Sequence, residues 1–518
     1  MTSHAAIFPA SRDGDHRQGA AVAAWRRHAF VVPPMLVALA VCFWFATAGD
    51  GHLFYREYFC GFYDAQARSI LHGRLDVPSK AIGFEAFDHA GKTYGYFGVT
   101  PALLRVPLVM AFAHMDGRWS RTMMLIAAAI NLVCAYRLVL YLKPSHRIET
   151  DTEKILTCLF VLCAGIGSTT VFLVSRTYVY HEAIMWGATF ALLFTDRLLA
   201  YLAAPSLSVL ATVGACAFLS FHARATAGAG TLLAMCMLTL VLIVRASRNQ
   251  PSNPPSHSPG GVLGLNTVRR PGVHAMLAAG IVIITIGGYF AINYAKFETF
   301  QGVPVRLYRM YTTNPRRMKI TGGRQFHVEN IPTGLASYFC GNALSFGPEF
   351  PWVYMVERAR VLGSPALDVV EPYSGIPVSM PALFLLALAG IQPLLKGTTP
   401  QTRRLRLPAI TLLLGGGVVL ATVGITERYL HDFYPWLVVL ASAGAARLTV
   451  RGHERAKTAL LVWLTAVSVA LNCAFALYFQ REYVWGEPQA KREELVDARR
   501  AINHILHRPP PPPVTEQP

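Results

Sequence analysis

Long uncharged apolar runs constrain this chain before any other feature does. Ala29 to Ala48 carries no charged side chain, and about 20 apolar residues are what one α-helix needs to cross the hydrocarbon core of a bilayer. Similar runs recur near 121–142, 155–174, 182–202, 207–222, 226–245, 275–295, 379–396, 408–426, 433–450 and 458–480. The expected fold is all-α and polytopic, with about eleven spans. Only 15% of the residues are charged, against about 25% in an ordinary soluble protein. A transmembrane β-barrel would instead repeat alternating segments of about 10 residues, and the sequence has no such pattern.

The net charge of +18 invites a nucleic-acid reading, but the basic residues are spread between apolar spans rather than gathered on a soluble domain. Anionic membrane lipid is the expected partner, and no nucleic acid. Arg26 and Arg27 precede the first run, and alternation from a cytoplasmic N-terminus puts Lys143, Arg147 and Lys154 inside. The same holds for Arg245, Arg248, Arg269 and Arg270, for Lys396, Arg403, Arg404 and Arg406, and for Arg451, Arg455 and Lys457, as the positive-inside bias requires. Ala46-Thr47-Ala48 resembles a signal-peptide cleavage site, yet the run before it exceeds the usual ~7–15 residues and contains Pro33-Pro34, so an uncleaved span is expected.

This topology divides the chain into a disordered cytoplasmic lead (1–27) and a multi-span domain (28–480) with outer loops 49–120 and 296–378 and a flexible Pro/Ser/Gly-rich inner loop 246–273. An amphipathic tail helix (481–508) and a Pro-rich end (509–518) follow. The nine cysteines are scattered singly without zinc-site spacing and read as small core residues. Cys60 and Cys340, both in expected outer loops, are read as unrelated thiols in preference to a pair.

Charged residues gather at the expected outer ends. In FYDAQARSILHGRLDVP (62–78), Tyr63, Ala67, Ile70 and Leu71 share one helical face while Asp64, Arg68 and His72 fall at i, i+4 and i+8 on another. That is a helix lying flat at the interface, presenting either an Asp64–Arg68 ion pair or a catalytic acid. GKTYGYFGVTPALLRVP (91–107) returns toward the membrane, with Pro101 suited to the first turn of a short helix. SRTYVYHEA (175–183) supplies Arg176, His181 and Glu182, FHARATAG (221–228) supplies Arg224, and TERYLHDFYP (426–435) supplies Arg428 and Tyr429. No acid occurs between Thr299 and Val328, a stretch with six basic residues that suits a solvated surface, lipid headgroups or a phosphate.

In this order, these features resemble the GT-C superfamily of integral-membrane glycosyltransferases, which includes protein mannosyltransferases, lipid A aminoarabinose transferases and arabinosyltransferases. The resemblance implies juxtamembrane helices in the first outer loop and transfer of a sugar from a polyprenyl-phosphate donor to a hydroxyl of a glycan, lipid or protein acceptor. Transfer is expected to invert the anomeric centre, on the outer face of the cytoplasmic membrane. It implies Asp64 as general base, Arg428 beside Tyr429 as the first group on the lipid phosphate, with Arg176 and Arg224 next, and His181 and Glu182 on the sugar or as a second acid. Asp64 lacks the adjacent second acid common in the superfamily, so Asp76, Glu85 and Asp88 are rivals for the base. For the same reason no obligatory metal is expected, since a divalent cation prefers several oxygen ligands. A transporter or lipid flippase would place ionisable groups near the bilayer midplane, and a polysaccharide polymerase or ligase would place its main functional loop late in the chain. The early acid-bearing loop separates the glycosyltransferase expectation from both.

Overall fold

A computed structural model describes residues 27–57, 59–143, 147–248, 265–300, 302–340, 344–348, 350–448, 454–482 and 489–506. The expected lead, most of the inner loop and the Pro-rich end lie outside these residues. The first half contains α1 (Val32–Ala46), α2 (Phe62–Leu71), a hairpin of β1 (Phe87–His89) and β2 (Lys92–Tyr94), α3 (Thr100–Ala111), α4 (Ser120–Leu142), α5 (Asp151–Gly165), α6 (Thr170–Ser175), α7 (Val179–Ala203), α8 (Leu207–Ala223) and α9 (Ala225–Ser247). The second half contains α10 (Pro271–Phe297), α11 (Pro315–Thr321), α12 (Ile331–Phe339), α13 (Pro381–Lys396), α14 (Pro400–Gly417), a 3-10 turn Glu427–Asp432, α15 (Tyr434–Leu448), α16 (Glu454–Glu482) and α17 (Gln489–Ile505).

Helices occupy all eleven expected positions, and among the described residues seven helices are long and apolar enough to cross a membrane. The run at 155–174 is broken into α5 and α6. The Ser168 hydroxyl bonds the carbonyls of Ala164 and Gly165, capping one helix just before the next begins. Many helices turn large aliphatic side chains outward, among them Leu36, Leu240, Met276, Ile283, Leu395 and Trp463, each at least 60% exposed. Such a spread of outward apolar surface on several helices suits lipid and not water.

Glycine sets the closest helix contacts. A Cβ on Gly390 of α13 would lie 1.9 Å from the Leu440 carbonyl, and one on Gly444 of α15 would lie 2.0 Å from the Leu386 carbonyl. Close backbone approach through small residues is how helices associate where lipid removes the hydrophobic drive. Gly390→Ala is expected to force α13 and α15 apart at a cost of about 1–3 kcal/mol. A lowered thermal unfolding temperature in detergent checks this, and an unchanged midpoint would contradict the contact.

Candidate active site

The site forms where irregular segments meet helix ends. Between α8 and α9 the chain passes through Arg224 in an extended conformation, which frees its side chain to leave the helix axis. Its guanidinium donates from Nε and Nη2 to the two carboxylate oxygens of Asp432, both at 2.8 Å, and Thr226 donates to the same Asp432 at 2.7 Å. The expected polar ends 221–228 and 426–435 are thereby joined. Arg428 pairs with Glu371, at 2.9 Å through Nη2, and its guanidinium lies 4.5 Å from the Tyr180 ring centre and 5.5 Å from that of Tyr429. The return segment of the first loop closes the other side. Gly98 is required there, because a Cβ would fall 1.9 Å from the His222 carbonyl.

These segments enclose a cavity of about 320 Å³. Arg224, Arg428, Arg317, Glu85 and Lys296 are among its polar lining, and Phe221, Tyr289, Ile292 and Val303 among its apolar lining. Each arginine is matched by an acid, since Arg317 pairs with Asp368 at 3.1 Å just as Arg224 and Arg428 pair with theirs. Glu85 and Lys296 have no such match among the described residues. Glu85, in a 3-10 turn (Gly83–Glu85), accepts a hydrogen bond from the Tyr308 hydroxyl at 2.5 Å. Burial raises its carboxyl above the ordinary value, against the opposing pull of that hydrogen bond and of the Arg428 and Arg317 charges. Lys296, in the last turn of α10, is buried and donates from Nζ to the carbonyls of Gly95 at 2.9 Å and Phe97 at 3.5 Å. One turn earlier, the buried Asn293 Nδ2 finds no hydrogen-bond partner among the described residues.

Asp64, expected to be the base, is placed elsewhere. It is 1% exposed, does not line the cavity, and has both oxygens taken, one by Arg105 Nη1 at 2.6 Å and the other by the Gly117 amide. Burial still raises its carboxyl above the usual value despite those partners. The expected Asp64–Arg68 pair does not form, because Arg68 reaches Asp116 at 2.5 and 2.8 Å. Glu182 binds Arg105 Nη2 at 2.7 and 2.8 Å. His181 points Nδ1 at the Arg176 carbonyl at 2.6 Å, and Arg176 stacks over Tyr178. None of these three lines the cavity. Asp76 lies 3.9 Å from Arg74 and Asp88 is held by Arg309 at 2.9 Å, so Glu85 is the one rival acid that lines the cavity. Cys60 contacts Thr177 at 3.6 Å, and Cys60 and Cys340 are both free thiols.

Of the expected residues, Arg224, Arg428, Tyr429 and Glu85 come together. Lys296, Asp368 and Glu371 were not singled out by the sequence. A lone lysine closing an otherwise uncharged run was the available signal for the first; the two acids carried none, since their partners lie far along the chain. Among the described residues no three His, Cys, Asp or Glu side chains converge as metal ligands, and the acids Asp368, Glu371 and Asp432 are each engaged by a guanidinium. The donor set therefore fits a divalent cation poorly.

Glu427 fixes the loop that carries Glu371. It accepts from the Ser374 amide at 2.6 Å and the Ser379 hydroxyl at 2.7 Å, and burial lifts its carboxyl to about 7 against those donors. His431, bonded to Thr169 at 2.9 Å and stacked on Tyr434, is pushed down to about 3 by burial and by Arg224, so it stays neutral.

No protein-family model matches the chain, and no curated protein matches it. Solved structures are similar in overall course. The apo oligosaccharyltransferase of Archaeoglobus fulgidus aligns at 12% identity and a TM-score of 0.46, covering 95% of this chain and 62% of that one. The AglB oligosaccharyltransferase of the same organism, in complex with an inhibitory peptide and a dolichol-phosphate, aligns at 12% identity and 0.45, covering 95% and 61%. ArnT from Cupriavidus metallidurans bound to undecaprenyl phosphate aligns at 12% and 0.43, covering 92% and 79%. The chain thus spans 62% of the length of the archaeal apo structure it matches.

The raised Glu427 carboxyl has a definite sign. The folded state holds its proton to about pH 7, whereas an unfolded glutamate releases it near 4.3. Stability from this group is complete below about 4.3 and is lost as pH rises through about 7, by roughly 4 kcal/mol in all. Thermal unfolding of wild type should therefore drop between pH 5 and 8 by more than that of Glu427→Gln, and equal drops would contradict the assignment.

Proposed function

We propose that the chain is a membrane glycosyltransferase that moves a sugar from a polyprenyl-phosphate donor to an acceptor hydroxyl, inverting at the anomeric carbon, with Glu85 as general base. The observation that carries this reading is the pairing pattern of the cavity. All three arginines are matched by acids, leaving one carboxylate and one ammonium without ionic partners in a space that is also lined by apolar side chains. That combination suits a substrate with a hydroxyl to deprotonate, an anion to hold and a lipid tail to bury.

The Glu85 carboxylate takes the acceptor proton while the acceptor oxygen bonds to the anomeric carbon from the face opposite the leaving group. The Tyr308 hydroxyl orients the carboxylate. The bond from the anomeric carbon to the phosphate oxygen breaks, and the charge gained by the lipid phosphate is met by Lys296, with Arg428 and Arg224 adding to the positive field. Phe221, Tyr289 and Ile292 would cover the first isoprene units. The sequence resemblance supports the same reaction class and assigns the same phosphate role to Arg428, but it nominated Asp64 for a role that Glu85 is better placed to fill. The outer membrane face, with the N-terminus cytoplasmic, remains the expected orientation.

The test compares cell-envelope glycans of a strain lacking the gene with strains complemented by wild type, Glu85→Gln or Asp64→Asn. Loss of one glycoconjugate on deletion, restored by wild type and not by Glu85→Gln, is the expected result. A deletion that leaves every glycoconjugate unchanged would sink the transferase reading, and full restoration by Glu85→Gln would sink only the base. In purified enzyme, Glu85→Gln should lower kcat/KM by about 10²–10⁴-fold. Because the base must be ionised and burial raises its carboxyl, wild-type kcat/KM should fall with acid through an apparent pKa above the ordinary glutamate value of about 4.3. Lys296→Met should weaken polyprenyl-phosphate binding by about tenfold or more, measured by titration in nanodiscs. An unchanged affinity would remove Lys296 from the phosphate site.

A further inference from the structure

The second long loop carries more positive charge than the cavity uses. Between Thr299 and Val328 there are six basic residues and no acid. Two of the six are spent on holding the loop in place, Arg309 against Asp88 at 2.9 Å and Arg317 against Asp368 at 3.1 Å. Arg316, Lys319 and Arg324 are exposed, and no carboxylate among the described residues pairs with them. Arg316 and Lys319 stand three residues apart on α11, hence on one face. Glu329, the next acid along the chain, is bonded by His327 at 3.0 Å and also feels the Arg324 charge without forming an ion pair with it. Three like charges held this close repel one another and weaken the folded state unless something negative meets them.

Their position says where that ligand would lie. Arg317, Gln325 and Phe326, from the same short stretch, line the cavity, and Arg316, Lys319 and Arg324, each within two residues of one of them, are exposed. Phe326 is 47% exposed and offers in that stretch an aromatic face on which a sugar ring can rest. The apolar lining Phe221, Tyr289, Ile292 and Val303 comes from other elements, α8 and α10 with the segment after it, which leaves the basic stretch to the second substrate.

We propose that Arg316, Lys319 and Arg324 recognise the acceptor as a polyanionic glycan, a sugar chain bearing phosphate or carboxylate groups. This inference rests on the transferase reading above and names the acceptor class for that same cavity. The interaction is long-ranged and weakened by salt, and it selects charged over neutral glycans before any hydroxyl reaches Glu85.

Binding tests it without any sugar transfer. The full chain in nanodiscs of phosphatidylcholine alone is titrated with dextran sulfate and with neutral dextran of equal length, at low and at physiological salt. Wild type should bind dextran sulfate, more weakly as salt rises, and should ignore neutral dextran. R316E/K319E/R324E should bind about tenfold or more weakly. R248E/R269E/R270E, at the other end of α9 and α10 and about 35 Å from Arg224, should bind like wild type and so exclude a general effect of net charge. Because binding is read without any sugar transfer, failure of this proposal stays separate from failure of the transferase reading, which the glycan comparison above tests. Three results would overturn the proposal. The patch variant could bind as well as wild type, or the distal variant could lose as much. Alternatively, wild type could ignore dextran sulfate while depending on the three residues to bind phosphatidylglycerol vesicles, which would make the basic stretch a lipid-headgroup contact.

Discussion

One buried guanidinium holds the first loop to the helical bundle. Arg105 of α3 is fully buried and is shared by Asp64 of α2 and Glu182 of α7, with Ser120 at the start of α4 accepting from Nη2 at 3.0 Å. Removing one partner from such a buried ion cluster typically costs about 3–5 kcal/mol, because a charge is left without compensation. Four helices therefore have to meet at this point or not fold at all. With the loop pinned there, the segment after the β1–β2 hairpin crosses the end of α8, where Gly98 allows contact with the His222 carbonyl. The cavity wall formed by Tyr96 and Phe97 follows from that crossing.

The same demand for compensation shapes the cavity. Unpaired charge is costly to bury, so Arg224, Arg317 and Arg428 each recruit an acid from a segment distant in sequence, and these pairs stitch the loops together. The arrangement is economical in a physical sense, since the groups that close the cavity are neutralised and remain fixed while substrate enters. Glu85 and Lys296 escape full compensation. The first has a phenol and the second has backbone carbonyls, weaker partners that a hydroxyl or a phosphate can replace or supplement.

Helix positions were legible in the sequence because one property, the length of an apolar run, decides them. Helix ends were less so. The run at 408–426 begins eight residues late compared with α14, because Pro400 and the Thr399 cap start the helix within the basic stretch Arg403–Arg406, which hydropathy alone reads as loop. Within the site, Arg224, Arg428 and Tyr429 could be found as polar groups at helix ends. The role of Asp64 could not. Its spacing to Arg68 looked sufficient, whereas its actual partner lies 41 residues away and is shared with an acid 77 residues from it, and no local pattern encodes such a contact.

A physical difference in setting separates Asp64 from Glu85. Asp64 sits on a regular helix packed against others, so side chains from neighbouring helices reach it at short range and a buried carboxylate there is stable only when they do. Glu85 sits in a tight turn within an irregular stretch, buried, and among the described residues it is the Tyr308 hydroxyl that donates to it. Lys296 obeys the same rule from the other side. It projects from the last turn of α10, where a cation is favoured by the helix dipole, into the carbonyls of the irregular segment Gly95–Phe97. Most charges around the cavity are spent on one another, whereas Glu85 and Lys296, which line it beside the irregular return of the first loop, keep neutral partners.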